Sequence, residues 1–336
     1  MTTIDDVARA AGVSTSTVSY VLSGKRPISA PTRQRVERNI RKLGYRPHAG
    51  ARALASSRTS VLALMAPLRV DVNVSVNMQF VAGVVTSART FEYDVLLLTH
   101  DDSASLERVA DGSMVDALIL MDIEADDPRV PLLAGLRQPA VLIGLPSDPA
   151  GLSCIDLDFE AAGRTAVRHL AQLGHRQVAL IGSPRAVLER HTSYADRMLR
   201  GFTAQTAELG IDGVYEPCES SHPGAVAAVD RVLARMPGVT GLVVHNEVAL
   251  PAVIATLRER GRAVPDDISL VAVCPLDVAV GQHLPLTSVD IPAITIGRVA
   301  VEMAMARVAG EQPAETRLLA PVLIERLSTA PPRAAQ

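Results

Sequence analysis

Ile4-Asp5-Asp6-Val7-Ala8-Arg9-Ala10-Ala11-Gly12-Val13-Ser14-Thr15-Ser16-Thr17-Val18-Ser19-Tyr20-Val21-Leu22-Ser23-Gly24 is the run of residues on which the reading of this chain turns. Ile4, Val7 and Ala8 stand at i, i+3 and i+4, one apolar stripe of a helix. Gly12 breaks that helix, since glycine takes a left-handed turn without steric cost. Ser14 is placed to cap a second helix, Thr15 to Ser23. There Val18, Val21 and Leu22 face inward, and Thr15, Ser16, Ser19 and Tyr20 are left outward. A helix, a tight glycine turn and a second helix with a small polar N-terminal face make a helix-turn-helix. In that motif the second helix enters the DNA major groove with its first residues toward the base edges. Ser29 caps a third helix, with Pro31 in its first turn, where no amide donor is needed. Val36, Ile40 and Leu43 form its buried face, and Gly44 ends it.

Charge supports this reading once the chain is divided. Over all 336 residues the formal net charge is −3, which as a single figure speaks against nucleic acid. Residues 1–58 hold 11 Lys and Arg against 3 acids, or +8; the rest hold 22 against 33, or −11. A small basic head on a large acidic body is the asymmetry of a nucleic-acid module fused to something else. The length asks for two or three domains, and 48% apolar residues supply a sizeable core. No uncharged apolar run reaches 18 residues, so no membrane-spanning helix is expected. Met1 to Ala11 has no apolar stretch of the secretory kind. Cys154, Cys218 and Cys274 are too few and too scattered for a disulfide framework or a zinc site. A cytoplasmic, nucleoid-associated location is expected.

The opening run, together with Leu43-Gly44-Tyr45-Arg46-Pro47, resembles the headpiece of the lactose/galactose repressor (LacI/GalR) family. The resemblance implies a transcriptional regulator, most simply a repressor, on a near-palindromic double-stranded operator. A homodimer would place two recognition helices in successive major grooves. Thr15, Ser16 and Tyr20 are then expected to read base edges. Thr3, Ser14, Thr17, Ser19, Ser29 and Arg33 complete the expected DNA-contacting set of the head. After Pro47 comes an alanine-rich segment too short to hold a helix alone, for which a plain linker is the alternative reading from composition. The resemblance implies a hinge helix that orders on DNA and lies in the minor groove. Leu54 would wedge the central base step, Ala51 would allow close approach, and His48 stands where asparagine is usual.

The body alternates short apolar runs with helix-length segments. The runs are 61–66, 93–98, 117–121, 140–144, then 178–182, 241–244 and 268–273. Buried runs separated by helices imply parallel sheets covered on both faces, here two α/β subdomains. Ligands of such sheets bind beyond the carboxyl ends of the strands, so a cleft between the subdomains is the natural site. This agrees with the family's periplasmic-binding-protein-like core. The expected division is a helix-turn-helix head at 1–46, a hinge at 47–58, a core at 59–330 and a tail at 331–336. Within the core an N-subdomain takes about 59–157 and 290–318, and a C-subdomain about 158–289 and 319–330. Past Leu327 there are no leucine heptads, so no tetramerising coiled coil is expected.

The expected effector is a small molecule, a sugar or glycoside, since that is the family's commonest class. Candidate contacts are Asp158, Phe159, Arg197, Asn246, Asp277, Asn73 and Ser75. Asn246 ends a strand, where its amide suits either a hydroxyl pair or a turn. Phe159 suits either a sugar-facing wall or the core. Arg197 serves if its helix start is shifted by one residue, and Asp277 if it replaces the carboxylate that the family carries where Cys274-Pro275 stand. Asn73 and Ser75 lie in a polar loop that reads as a ligand loop or a solvated connection. No dinucleotide, P-loop, Gly-x-Ser-x-Gly or His-Glu-x-x-His pattern occurs. No cofactor, metal or catalytic activity is therefore expected. His169, His175 and His191 read as helix-surface or capping residues. Two alternatives share the core fold. A solute-binding protein would have no use for a basic head, and a sugar-processing enzyme would need a carboxylate pair or cofactor motif.

Overall fold

The computed structural model describes residues 2–23, 26–45, 58–67, 69, 73–100, 102–112 and 114–333. The hinge assignments of His48, Ala51 and Leu54 lie outside the described residues. The head is three helices, α1 (Ile4–Ala11), α2 (Thr15–Ser23) and α3 (Ala30–Leu43). Thr3 and Asp6 form a reciprocal capping box at the start of α1. Hydrogen bonds from Thr3 hold the Asp6 carboxyl below its usual range. Gly12 and Gly44 both take the left-handed conformation, φ 61° and 60°, and end α1 and α3. Ser14 Oγ accepts the Thr17 N–H at 3.2 Å and so caps α2. Ser29 does not cap α3: its hydroxyl donates to Thr32 Oγ1 at 2.9 Å instead. Val7, Ala8, Ala11, Val18 and Val36 close the head's core. Leu22 stays 41% exposed, because Val18 and Val21 already fill the contact of α2 with its neighbours.

Two six-stranded sheets make the body. The first contains β1 (Val61–Met65), β2 (Asp94–Leu98), β3 (Ala117–Leu120), β4 (Ala140–Ile143), β5 (Ser153–Leu157) and β11 (Thr316–Leu319), in the order β11–β5–β4–β3–β1–β2. All its pairings are parallel. The second contains β6 (Gln177–Gly182), β7 (Asp212–Pro217), β8 (Gly241–Val244), β9 (Ser269–Cys274), β10 (Thr287–Asp290) and β12 (Leu323–Ile324), in the order β12–β10–β9–β8–β6–β7. Only β12 is antiparallel. β5 and β7 escape an apolar-run reading because polar residues such as Ser153, Asp156 and Glu216 interrupt them. Along β3, Ala117 and Ile119 enter one apolar layer, and Leu118 and Leu120 enter the other. Both faces are therefore covered, as a parallel sheet requires.

The chain crosses between sheets three times, after Leu157, after Asp290 and after Leu319. The first crossing leads into α7 (Phe159–Gln172), the second into α13 (Ala293–Ala309). The helices between are α4 (Val74–Thr90), α5 (Ser103–Asp111), α6 (Arg129–Gly135), α8 (Arg185–Glu189), α9 (Ser193–Glu208), α10 (His222–Arg235), α11 (Leu250–Glu259) and α12 (Leu276–Val280). His169 and His175 are not on the surface, being 7% and 1% exposed. His169 Nε2 pairs with Thr329 Oγ1 at 3.1 Å, and His175 Nε2 donates to the Ala330 carbonyl at 3.1 Å. They fasten the C-terminal segment to the second lobe, and burial lowers the pKa of both rings. His191 is exposed and pairs with Asp196. Where the body begins, the Asp116 carboxylate accepts the Thr59 N–H at 2.8 Å and the Ser60 N–H at 2.9 Å.

In each lobe one helix pair touches backbone to backbone through glycine. In the first lobe a Cβ on Gly83 of α4 would strike the Ile294 carbonyl of α13, and one on Gly297 would strike the Phe80 carbonyl. In the second, a Cβ on Gly163 of α7 would lie 2.6 Å from the Met198 carbonyl of α9, and one on Gly201 would strike the Glu160 carbonyl. Helices this close accept no side chain at the crossing, so Gly201→Ala and Gly297→Ala should each destabilise the protein by about 2–3 kcal/mol. Gly135, with open space around its Cα, should accept alanine with no loss of stability. Urea unfolding of the three variants checks the contrast; equal behaviour would mean that the crossings are not close-packed.

Candidate functional site

The head presents one polar face. Thr15 and Ser16 are exposed at the start of α2, and Thr17, Ser19 and Tyr20 are half-buried beside them. The Arg26 guanidinium lies over the Tyr20 ring, 5.2 Å from its centroid. Arg33 is exposed on α3 and Ser14 at the α2 cap. Thr3, Ser14 and Ser29 have their hydroxyls engaged in local bonds. They also stand at helix N-termini, where backbone N–H groups suit phosphate oxygens.

The second site is a cleft between the lobes, beyond the carboxyl ends of the strands. Its empty space, open solvent at the mouth included, is about 890 Å³. From the first lobe, the N-terminal turns of α4 bring Asn73, Val76, Asn77 and Phe80. The ends of β3 and β4 bring Met121, Asp122 and Ile143, and β5 brings Asp156. From the second lobe come Phe159 at the start of α7, Tyr194 in the first turn of α9, and His245, Asn246 and Glu247 after β8. Ile291, at the second crossing, closes the back. Phe159, Tyr194 and His245 form one aromatic wall. Phe159 and His245 stack at 5.3 Å between centroids, and Tyr194 stands edge-on to His245 at 5.6 Å.

Burial governs the electrostatics here. It pushes the His245 pKa down to about 4, with no charge or hydrogen bond among the described residues opposing it. The imidazole is therefore neutral at physiological pH and offers one donor and one acceptor to the cavity. Burial pushes Asp156 up to about 6, opposed by the Arg197 guanidinium that pairs with it. The Glu247 carboxyl is also raised by burial, opposed by hydrogen bonds from its own backbone and from Asn73.

The residues expected at the effector site separate into two groups. Phe159, Asn246 and Asn73 line the cleft; Asp158, Arg197, Asp277 and Ser75 do not. Asp158 caps α7 by accepting the Ala161 N–H at 2.9 Å. Arg197, 5% exposed, stands behind Asp156 with its guanidinium 5.6 Å from the Phe159 ring centroid. Asp277 accepts the Gln79 amide at 3.0 and 3.1 Å, a contact between lobes outside the cavity. Ser75 is exposed in the first turn of α4. Asn246 keeps its amide occupied: it donates to the Cys218 carbonyl at 2.7 Å and accepts the Ala249 N–H at 3.2 Å. It thus ties two cleft loops together. His245, Tyr194 and Glu247 went unnoticed in the sequence. Tyr194 carries no motif, but His245 and Glu247 flank Asn246 at a strand end, which is itself a usable signal.

Residues 3–48 match the family described as bacterial regulatory proteins, lacI family, and residues 167–329 match a periplasmic binding protein-like domain. The HTH-type transcriptional regulator CelR of Thermobifida fusca is 31% identical over 339 residues, covering 94% of this chain and 95% of that protein. The HTH-type transcriptional repressor PurR of Photobacterium profundum is 30% identical over 325 residues, covering 92% of each. Among solved structures, the transcriptional regulator CelR–cellobiose complex matches with a TM-score of 0.68 and 27% identity, over 98% of this chain and 100% of that one. The lac repressor dimer bound to operator and the anti-inducer ONPF shares the fold, with a TM-score of 0.83 at 23% identity over 98% and 99% of the two chains. A basic helix-turn-helix head, two parallel sheets around a polar cleft and near full-length identity to such regulators agree: this chain belongs to the LacI family of bacterial transcriptional regulators.

Proposed function

We propose that the protein is a repressor whose operator affinity is set by a sugar or glycoside bound between the lobes. The observation that carries this reading is the composition of the cleft. Carboxylate, amide and hydroxyl groups from both lobes converge on an aromatic wall, an arrangement suited to a ring with many hydroxyls. A homodimer places two α2 helices on a near-palindromic operator. Thr15, Ser16 and Tyr20 read base edges, with Thr17 and Ser19 beside them. Thr3, Ser14, Ser29 and Arg33 hold the phosphate backbone, and Leu54 wedges the minor groove next to Ala51 and His48. Because the cleft is built from both lobes, a ligand binds their alternative arrangements with different affinity. That difference is the only means by which it shifts their populations.

The test is an operator-binding titration at several salt concentrations with a panel of sugars. Operator affinity should fall about a thousandfold between ~50 and ~200 mM salt, and one sugar should shift it further. Absence of DNA binding at low salt would overturn the repressor reading. Leu54→Ala should weaken operator binding far more than binding to random DNA; equal losses would make the segment a plain linker. His245→Phe keeps the ring and its stacking but removes both nitrogens. It should lower sugar affinity about tenfold by calorimetry, the worth of one buried hydrogen bond. An unaltered affinity would take the imidazole out of the ligand contact.

A further inference from the structure

We infer that the cleft selects its ligand by charge, accepting neutral hydroxyl-rich molecules and refusing those that carry phosphate or carboxylate, with Glu247 as the residue that enforces this. The inference rests on the sugar-effector reading and narrows it to a chemical class. Three carboxyl groups line the cavity, Asp122, Asp156 and Glu247, and no lysine or arginine among the described residues does. The arginines that come near are already joined to carboxylates. Arg197 pairs with Asp156, Arg69 with Asp122, and Arg190 with both Asp122 and Glu124. Drawing one of them toward a ligand anion would strip a buried acid of its partner, which is strongly unfavourable. His245 brings no counter-charge, since it is neutral and held among Phe159 and Tyr194.

Glu247 differs from the other two acids. No arginine or lysine among the described residues acts on it; its hydrogen bonds come from its own backbone N–H and from Asn73. It is the carboxyl that a ligand meets without an intervening cation. A sugar hydroxyl can donate to it, and also to Asp122 or Asp156. A phosphate or carboxylate brings only acceptors, so it would face acceptors of the same sign in a partly desolvated space.

Calorimetry on the full chain tests this with neutral mono- and disaccharides, cellobiose and glucose among them, against glucose 6-phosphate and glucuronate. The best neutral sugar should bind at least about tenfold more tightly than either anion. Glu247→Gln removes the charge and keeps the shape. It should narrow the gap between the neutral sugar and the anions by at least about threefold, whatever the change in affinity for the neutral sugar itself, with the melting temperature of the free protein reporting an intact fold. An anion that binds the unmodified protein as tightly as any neutral sugar overturns charge selection. A gap unchanged in Glu247→Gln removes Glu247 as its source. Binding by no sugar of either kind defeats the sugar-effector reading itself, and the inference with it.

Discussion

Two glycine-lined helix crossings carry the architecture of the body. At Gly83 and Gly297 in one lobe, and at Gly163 and Gly201 in the other, backbone meets backbone with no room for a Cβ. Such crossings are stiff, because the contact has no flexible side chain to absorb a shift. Their placement has a functional consequence. The carbonyl that blocks Gly297 belongs to Phe80, which lines the cleft. The carbonyl that blocks Gly201 belongs to Glu160, next to Phe159 of the aromatic wall. The walls of the cleft are thus positioned by the packing of the same helices.

Around this frame the lobes meet through a few separate contacts. On one side Gln79 reaches Asp277. On the other, the Ser193 N–H donates to the Ile123 carbonyl at 2.9 Å and the Ala125 N–H to the His191 carbonyl at 2.8 Å. Arg190 of the second lobe pairs with Asp122 and Glu124 of the first. The exposed Gln79–Asp277 contact contributes little, whereas the pairing of Arg190 with the buried Asp122 carboxylate is costly to part. Asp156 and Arg197 are different: both are nearly inaccessible, and the pair joins the end of β5 to α9. Parting such a pair strands a buried charge, so it holds α9 firmly to the strand beside the first crossing.

The division of charge is consistent with a division of labour. The head keeps its arginines on exposed faces of α3, where phosphates can reach them, over a core of only five buried residues. The body carries its excess acid over a far larger core. An acidic body has no net attraction for DNA phosphate, so the charge suited to it lies in the head.

Local chemistry was legible in the residues. The head is built from short-range signals: the apolar stripe of Ile4, Val7 and Ala8, the Ser14 cap, and Gly12 and Gly44 at left-handed turns, each complete within a few positions. The strong apolar strands were legible for the same reason, since burial on both faces removes polar residues from β1, β3 and β8. Ser153 and Asp156 hid β5, and the short edge strands had little pattern to show. The ligand site was only half visible. Phe159, Asn246 and Asn73 reach the cleft, but Arg197 and Asp277 are charged groups whose partners, Asp156 and Gln79, lie 41 and 198 positions away. A residue type states what a side chain can bond; which partner it meets is settled by the folding of distant segments against each other. That is why His169 and His175, surface-like in their helical context, prove to be buried fasteners of the C-terminal segment, and why Tyr194 joins an aromatic wall with Phe159 and His245. Periodicity, capping and charge run along the chain and are carried by it; the cleft exists only where two sheets, crossed three times, bring their strand ends face to face.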